Sequence, residues 1–441
     1  MRNYKKIFKY ILLFIVILGY NLIIFPTDLD EIWCYGFSYS IYLGLLPYKS
    51  FNMVVTPLYP FIMSIPFHIF GSNILVFHIT QALLFTLLSY FLFDLLEEKS
   101  WIIFIFFFFP VSIFFPGYNL LLFFLLILII WLEKKKYNDI VIGIIIALAF
   151  LTKQTVGIVF LLPSSYYIKD IKKVLKRLVG FIIPNILFFI YLICTNTYRE
   201  FFDLCILGLF DFAGNNGHIS TIWIILILIM VIITIIYIKK NNKEITLFYI
   251  LSYYTIAIPL FDIKHCQEAF LAFLFMILYY SNRKTNIKYL LVFMVVVANT
   301  SYLYFHDRIK TEIVYPNNIK YFEYRLLDKD SIKLTNDLNK YLKKHKYKKF
   351  VFLDLNGYYF KIINDIKIDN TDLINTGNSG YNGKNKLLKE IKKKKDYIFI
   401  VDKEELKRKH QTDKDVIKYI IKNGKKIDRI RGYDIYTMEE I

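Results

Sequence analysis

Long apolar runs before residue 305 constrain the fold of this chain more than any other feature. Runs such as ILLFIVILGYNLIIF (11–25) are separated by short lysine-rich segments. The whole chain of 441 residues is 56% hydrophobic and 19% aromatic, which is more than the core of a soluble protein requires. Since roughly 20 helical residues cross a hydrocarbon core of about 30 Å, the sequence predicts a polytopic membrane protein that is mainly α-helical.

Two of the runs, 100–132 and 139–168, are too long for a single crossing. Each predicts a hairpin of two short helices, with tips near Pro116–Asn119 and near Lys153. The other predicted membrane helices bring the total to about 11 transmembrane helices, and they lie at approximately 10–25, 72–95, 178–195, 220–238, 244–260, 269–281 and 289–305.

The distribution of basic residues predicts the orientation of these helices. The predicted inner segments hold 19 Lys and Arg, whereas the predicted outer membrane loops hold 4. Because short cytoplasmic loops collect Lys and Arg, we expect a multi-pass protein of the cell membrane with a cytoplasmic N-terminus and an extracytoplasmic C-terminus.

Residues 306–441 have the pattern of a small α/β domain. They contain 32 basic and 21 acidic residues. Strand-like runs at 348–355, 396–401 and 433–438 alternate with helix-like stretches near 330–345, 384–395 and 412–423. We therefore predict an extracytoplasmic domain whose basic surface is either simply solvated or held to anionic lipid or envelope polymer.

Polar side chains are concentrated in three predicted outer segments. The first loop (26–71) begins with Asp28, Asp30 and Glu31, the hairpin tip carries Lys153–Gln154, and FDIKHCQEAF (261–270) carries Asp262 and His265. Taken singly, each fits an ordinary role, such as hydration at a helix end, a lipid-snorkelling anchor or an exposed loop. Together, on one face of an apolar bundle, they predict a cavity that opens outward.

The first loop also resembles a known family. DEIW, followed by YLGLLPYKSFNMVVTPLYPFIMSIPFHIFG (42–71), is similar to the first extracytoplasmic loop of the GT-C superfamily, which includes protein O-mannosyltransferases and aminoarabinose transferases. LAFLTKQTVG (148–157) is similar to the Lys-Gln tip of bacterial members. Ser50 and Tyr118–Asn119 depart from the pattern, since relatives carry acidic residues at or near these positions. The resemblance covers residues 1–305 and implies a GT-C-like transmembrane domain whose catalytic loop is 26–71, followed by the domain 306–441.

The resemblance implies an inverting glycosyltransferase that moves a sugar from a polyprenyl-phosphate donor to an envelope acceptor on the outer face of the membrane. Asp30 would act as the general base and Glu31 would orient the acceptor or the sugar. A single base without an acid partner implies inversion. The acceptor would be a lipid-linked glycan, a polymer or a protein. The residues expected to bind substrate are Lys153, Gln154, Asp262, His265 and Tyr48.

Two other functions stay open at this point: an envelope glycan polymerase or ligase, and a flippase or transporter without enzymatic activity. The four cysteines have no ligand spacing, so no metal site is predicted. No cofactor is expected, and dependence on a divalent metal stays open. Membrane lipid is an expected partner and nucleic acid is not.

Overall fold

The computed structural model of the chain is mainly helical, with a small sheet in its C-terminal part. It describes residues 2–23, 29–96, 117–215, 221–241, 244–258, 260–261, 263–280, 313–314, 319–322, 327–346, 348–354, 357–372, 378–407 and 414–438.

The chain forms two compact units. The first, called here the helical unit, comprises Met1–Asn21, His78–Ile190 and His218–Thr311. The second, called here the mixed unit, comprises Leu22–Phe77, Tyr191–Gly217 and Glu312–Ile441.

The helices that precede the sheet follow the apolar runs of the sequence. Short 3-10 segments lie at Leu162–Tyr167 and Tyr254–Ala257, and a π-helical segment lies at Phe202–Leu207. The α-helices are α1 (Arg2–Ile23), α2 (Leu29–Tyr42), α3 (Leu58–Phe70), α4 (Ile74–Leu96), α5 (Tyr118–Lys134), α6 (Asp139–Thr152), α7 (Gln154–Val159), α8 (Ile171–Cys194), α9 (Tyr198–Phe201), α10 (Gly208–Asn215), α11 (Thr221–Lys240), α12 (Ile245–Tyr253) and α13 (Ile263–Tyr280).

Among the described residues, three helices are long and apolar enough to cross a membrane: α4, α8 and α11. Large apolar side chains such as Leu187 on α8 and Ile232 on α11 are exposed. A helix face of this kind is stable in lipid rather than in water, so the chain is a membrane protein. The predicted total of about 11 transmembrane helices is not confirmed. The predicted helix at 289–305 and the first half of the hairpin at 100–132 lie outside the described residues.

An ion-pair network joins four helices of the helical unit. Arg177 on α8 is only 1% exposed and donates from Nη1 to Glu133 Oε1 (2.6 Å) and from Nε to Asp139 Oδ1 (2.8 Å). Its Nη1 also lies 3.1 Å from the hydroxyl of Tyr249 on α12. A buried guanidinium requires such partners, so this network fixes the ends of α5 and α6 against α8 and α12.

Aromatic side chains hold the helices of the first loop together in the mixed unit. Tyr35 of α2 lies edge-on to Phe67 and to Phe77, with ring centroids 5.6 Å apart in each case, and its hydroxyl donates to the carbonyl of Ser72. Its ring also meets Phe322, with a centroid distance of 5.3 Å. Such edge contacts add to the burial of each ring, so α2 occupies a fixed position.

The C-terminal part of the mixed unit contains a four-stranded sheet and a two-stranded sheet. In the larger sheet the strand order is β3-β4-β6-β5, with β3 and β4 parallel and the other neighbours antiparallel. The strands are β1 (Ile313–Val314), β2 (Leu327–Asp328), β3 (Lys349–Leu353), β4 (Tyr397–Asp402), β5 (Lys425–Ile430) and β6 (Tyr433–Thr437), and the accompanying helices are α14 (Lys329–Lys344), α15 (Gly357–Ile363), α16 (Gly383–Lys393) and α17 (Lys414–Asn423).

Helices cover both faces of this sheet. Alternate residues of β3 and β4, such as Val351 and Phe399, pack with Leu387 of α16 and Ile417 of α17 in one buried cluster. On the other face, Phe352 stacks on Phe360 of α15, with centroids 5.5 Å apart. Successive side chains of a strand point to opposite faces of the sheet, so neighbouring residues such as Val351 and Phe352 pack against different helices.

The three predicted strands and the three predicted helices of this region are confirmed as β3, β4, β6, α14, α16 and α17. The boundary between residues 305 and 306 lies outside the described residues, and 306–441 as a separate domain stays a prediction. The core of the mixed unit also includes the first loop, since the ring of Phe37 on α2 lies 5.9 Å from that of Tyr358 on α15.

Candidate active site

The predicted carboxylates lie at the start of α2. Asp30 and Glu31 occupy the first helical turn, where the partial positive charge of a helix N-terminus favours anions. Glu31 is only 7% exposed, so simple hydration does not explain it. The side chain of Asp30 and the whole of Asp28 lie outside the described residues. The general-base assignment of Asp30 therefore stays a prediction.

Tyr48 lies in the core of the first loop. It has a left-handed backbone conformation, with φ at 71°, and its hydroxyl donates to the carbonyl of Val55 at 3.1 Å. Its ring lies edge-on to Phe201, with centroids 5.3 Å apart. Burial raises the pKa of Tyr48 well above its ordinary value, so the hydroxyl stays a hydrogen-bond donor. These contacts hold the loop, and the predicted contact with substrate stays a prediction.

The tip between α6 and α7 is a sharp helix break at Lys153. Lys153 is extended, with φ at −150° and ψ at 104°, and it ends one helix and precedes the next. The two helices approach closely because residue 157 is glycine: a Cβ on Gly157 would lie 2.1 Å from the backbone nitrogen of Phe150. The predicted break of the run 139–168 at Lys153 is confirmed.

This break places Lys153 in a buried polar cluster of the helical unit. Lys153 Nζ donates to Asn119 Oδ1 at 3.4 Å, and Asn119 Nδ2 donates to Glu268 Oε1 at 2.6 Å. Lys153 is 9% exposed and Glu268 is 2% exposed, and both Asn119 and Gln154 are buried as well. The ammonium also lies 5.6 Å above the ring of Tyr118. We call Lys153, Asn119 and Glu268 the lysine cluster.

The charges of the lysine cluster fix how the amide of Asn119 is oriented. Its oxygen faces the ammonium and its nitrogen faces the carboxylate, which is the only orientation that satisfies both neighbours. A lipid-snorkelling lysine extends its ammonium to the membrane surface. Lys153 instead has its ammonium inside the protein, beside an amide that leads to a carboxylate.

The third predicted segment contributes Glu268 to the lysine cluster, and the predicted substrate contacts of Asp262 and His265 stay predictions. Asp262 lies outside the described residues. His265 is half-buried on α13, one turn before Glu268, so the two lie on the same side of that helix. Asn119 and Glu268 were missed, although an acidic residue in an apolar helix is a signal for function and Asn119 stands where relatives carry an acid.

The predicted site residues are divided between the two units. Asp30, Glu31 and Tyr48 belong to the mixed unit, whereas Lys153, Gln154 and His265 belong to the helical unit. Within the described residues, the lysine cluster is the group that contains both a predicted site residue and a second buried charge.

A carboxylate trio in the mixed unit has the donor set of a metal site. Oxygens of Asp354, Asp402 and Glu405 lie within 4.8 Å of one another, near the carboxyl ends of β3 and β4. Asp354 also accepts a hydrogen bond of 2.6 Å from the hydroxyl of Tyr433. Hard cations such as Mg²⁺ take oxygen ligands, but neighbouring acids are common without an ion.

Comparison with known proteins identifies the fold. No family model matches the sequence, and no curated protein matches it. The structure is similar to the crystal structure of ArnT from Cupriavidus metallidurans in the apo state, with a TM-score of 0.57 and 10% sequence identity, over 99% of this chain and 98% of that chain. The likeness is one of fold. At the level of the fold alone it confirms the resemblance to the aminoarabinose transferases that the first loop carries, and the chain is a mainly helical protein that shares the fold of ArnT.

Proposed function

We propose that this protein is a membrane glycosyltransferase that transfers a sugar from a polyprenyl-phosphate donor to an envelope acceptor on the outer face of the membrane. The likeness to ArnT over 99% of the chain carries the proposal. Because folds host many functions, the chemistry is argued from the residues. The lysine cluster supplies the second line of support.

In this proposal Lys153 stabilises the leaving phosphate. A phosphate that departs from an anomeric carbon needs positive charge rather than a proton, and a preorganised ammonium in a site that excludes water provides it. Lys153 is largely buried, and its ammonium donates to the amide oxygen of Asn119 at 3.4 Å. An ammonium in this state forms a strong charge-assisted contact with phosphate.

Asn119 and Glu268 act in this proposal as positioning residues. Glu268 holds the amide of Asn119 at 2.6 Å, and the amide holds the ammonium of Lys153 at 3.4 Å. Through Asn119, the carboxylate of Glu268 fixes the position of the ammonium.

Asp30, with Glu31 beside it, is the proposed base. The acceptor hydroxyl must lose a proton as the anomeric carbon gains oxocarbenium character, and a carboxylate on a fixed helix can accept that proton. Attack opposite the leaving phosphate inverts the anomeric centre. No cofactor is required in this scheme.

The test is an assay of the purified full chain in lipid nanodiscs with a panel of radiolabelled polyprenyl-phosphate sugars. We expect one donor to be consumed when an envelope extract supplies acceptors, with inverted configuration in the product by NMR. Consumption of polyprenyl-diphosphate donors alone would favour the polymerase or ligase function. If wild-type protein consumes no donor while a known glycosyltransferase in the same discs is active, the proposal is wrong.

A further inference from the structure

A strongly cationic cavity lies in the C-terminal part of the mixed unit. Its volume is approximately 790 Å³, within the range of about 300–1,000 Å³ that is usual for small-ligand sites. Its walls come from the end of α14, the turn that follows, the start of β3, and α15 with the turn after it. Seven lysines and two aspartates line it: Lys320, Lys343, Lys346, Lys348, Lys349, Lys361, Lys367, Asp365 and Asp369.

The floor of the cavity is held by its own ion pairs. Lys361 is only 1% exposed, and its ammonium lies 2.7 Å from Asp372 and 3.5 Å from Asp369. Lys394 approaches Asp369 from the other side at 2.9 Å. The floor is therefore close to neutral and has a fixed geometry, since each buried charge has a partner.

The rim has a different character. Lys343, Lys346, Lys348 and Lys367 are exposed, while Lys320 pairs with Asp365 at 2.6 Å and Lys349 pairs with Asp396 at 3.3 Å. In the lining as a whole, ammonium groups outnumber carboxylates seven to two. Like charges around a concave wall repel each other and focus the potential that attracts an anion. A solvated lysine surface spreads its charges apart, whereas this arrangement gathers them around one opening.

We propose that this cavity binds a ligand that carries two or more phosphate groups. Lysine is a compact point charge that binds phosphate well, and each phosphate monoester brings a charge of about −1.5 to −2. Asp372 and Asp396 also pair with lysines of the lining and reduce its positive surplus, which two such groups would neutralise. The long rim side chains can adjust around the ligand while the floor stays in place. The ligand is either a soluble phosphate-containing polymer or a lipid headgroup with several phosphates, and the site is independent of the glycosyltransferase proposal.

The test uses sodium tripolyphosphate as the probe and the full chain in phosphatidylcholine nanodiscs, by calorimetry at constant ionic strength. One variant combines Lys343→Gln, Lys346→Gln, Lys348→Gln and Lys367→Gln. A matched control removes the same charge from exposed lysines of α16, α17 and β5 that do not line the cavity, by Lys389→Gln, Lys418→Gln, Lys422→Gln and Lys425→Gln.

We expect saturable binding that weakens at least tenfold in the cavity variant and less than twofold in the control. Equal weakening in both variants would show that binding depends on the overall charge of the protein and not on the cavity, and it would overturn the site. Absence of saturable binding to the wild type would also overturn it. Discs that contain cardiolipin, whose headgroup has two phosphates, identify the source. If cardiolipin weakens tripolyphosphate binding in the wild type and the control but not in the cavity variant, the site takes a lipid headgroup. If cardiolipin weakens binding in none of them, the site takes a soluble ligand with several phosphates.

Discussion

At the scale of single residues, the environment of Lys153 carries the most functional meaning. A buried ammonium costs free energy unless it is hydrogen-bonded, and here the amide oxygen of Asn119 accepts from it at 3.4 Å. In the proposed mechanism this ammonium also binds the donor phosphate. An anchor in the lipid headgroups would not require Asn119 or Glu268.

Lys153→Gln should weaken use of the donor by roughly 1–3 kcal/mol, the range for a charge-assisted hydrogen bond. The measurement is kcat/KM for the donor in nanodiscs. Lys49→Gln removes an exposed lysine of the first loop and should leave this value unchanged. Glu268→Gln should raise KM for the donor, since it loosens Asn119. Equal kinetics of Lys153→Gln and wild type would assign the lysine a structural role.

Asp30→Asn should lower turnover by about 10²–10⁴-fold, since an amide retains the size of the carboxylate but cannot accept the proton. Donor binding should survive, because the proposed phosphate contact is Lys153. Glu31→Gln is the companion variant. If it alone abolishes transfer, the base is Glu31. Near wild-type transfer by both variants and by the double variant, at normal protein levels, would remove the DE motif from the mechanism.

Two aspartates beneath the cationic cavity should affect stability with opposite dependence on pH. Burial raises the pKa of Asp372 to about 7, although the ammonium of Lys361 opposes the shift. Burial would also raise the pKa of Asp369, but Lys361 and Lys394 outweigh it and hold that pKa well below its usual range. The ordinary value is about 3.9.

Because Asp372 binds its proton more tightly in the folded state, its contribution is complete below about pH 4 and is lost as the pH rises through about 7. In the wild type, the thermal unfolding midpoint in detergent should therefore fall between pH 4 and 7. In Asp372→Asn it should fall less, as measured by intrinsic fluorescence. Asp369→Asn should retain this decline, since the contribution of Asp369 is lost only at more acidic pH. An unchanged slope in Asp372→Asn would contradict the shifted pKa.

At the scale of helices, a glycine contact sets how closely α6 and α8 approach. A Cβ on Gly143 would lie 2.1 Å from the carbonyl oxygen of Arg177, and one on Gly180 would lie 2.1 Å from that of Ile140. Small residues allow such close backbone contact in membrane proteins. The same approach brings Arg177 within reach of Glu133 and Asp139.

Gly143→Ala should therefore lower the thermal midpoint of the detergent-solubilised chain, with a cost of roughly 1–3 kcal/mol for overpacking. Gly19→Ala is the matched control, since no atom lies within 4 Å of the added Cβ there. Alanine favours a helix over glycine by about 1 kcal/mol at either position, so the difference between the two variants measures the clash. A Gly143→Ala midpoint as high as that of Gly19→Ala would show that the helices can separate without cost.

At the scale of the whole molecule, the asymmetry of basic residues is the basis for the proposed orientation. Most of the 19 predicted inner charges lie in short segments between apolar helices, and such segments determine topology. Arg177 is one of those charges, and the structure shows it buried in ion pairs. The remaining excess is the basis for the proposal that the C-terminus lies outside the cytoplasm.

A reporter that is active only in the cytoplasm, fused after Ile441, should be inactive. The same reporter fused after Lys136, in a predicted inner segment, should be active. Reporter activity is compared at equal protein level. Activity after Ile441 would contradict the proposed orientation and would place the C-terminal part of the mixed unit, with the proposed phosphate-binding cavity, in the cytoplasm.

Local patterns in the sequence were enough to predict the class of protein, the positions of the described apolar helices, the helix break at Lys153, and strands β3, β4 and β6. Each of these depends on the hydrophobicity or backbone preference of neighbouring residues. Strand β5 (KKIDRI) was missed because it is largely exposed, whereas β3, at the opposite edge of the sheet, is largely buried. An exposed strand lacks the apolar run by which the other strands were found.

Only the tertiary structure decided which polar groups meet. Lys153 is 34 residues from Asn119, and Asn119 is 149 residues from Glu268, so no local period connects them. The seven lysines of the cavity likewise come from several segments and appear in the sequence as ordinary surface charge. Contacts of this kind depend on how helices and strands pack, which is set by side-chain shape over the whole core. The sequence alone therefore determined that this is a membrane protein and where its described apolar helices lie, and packing decided which of its charged side chains meet.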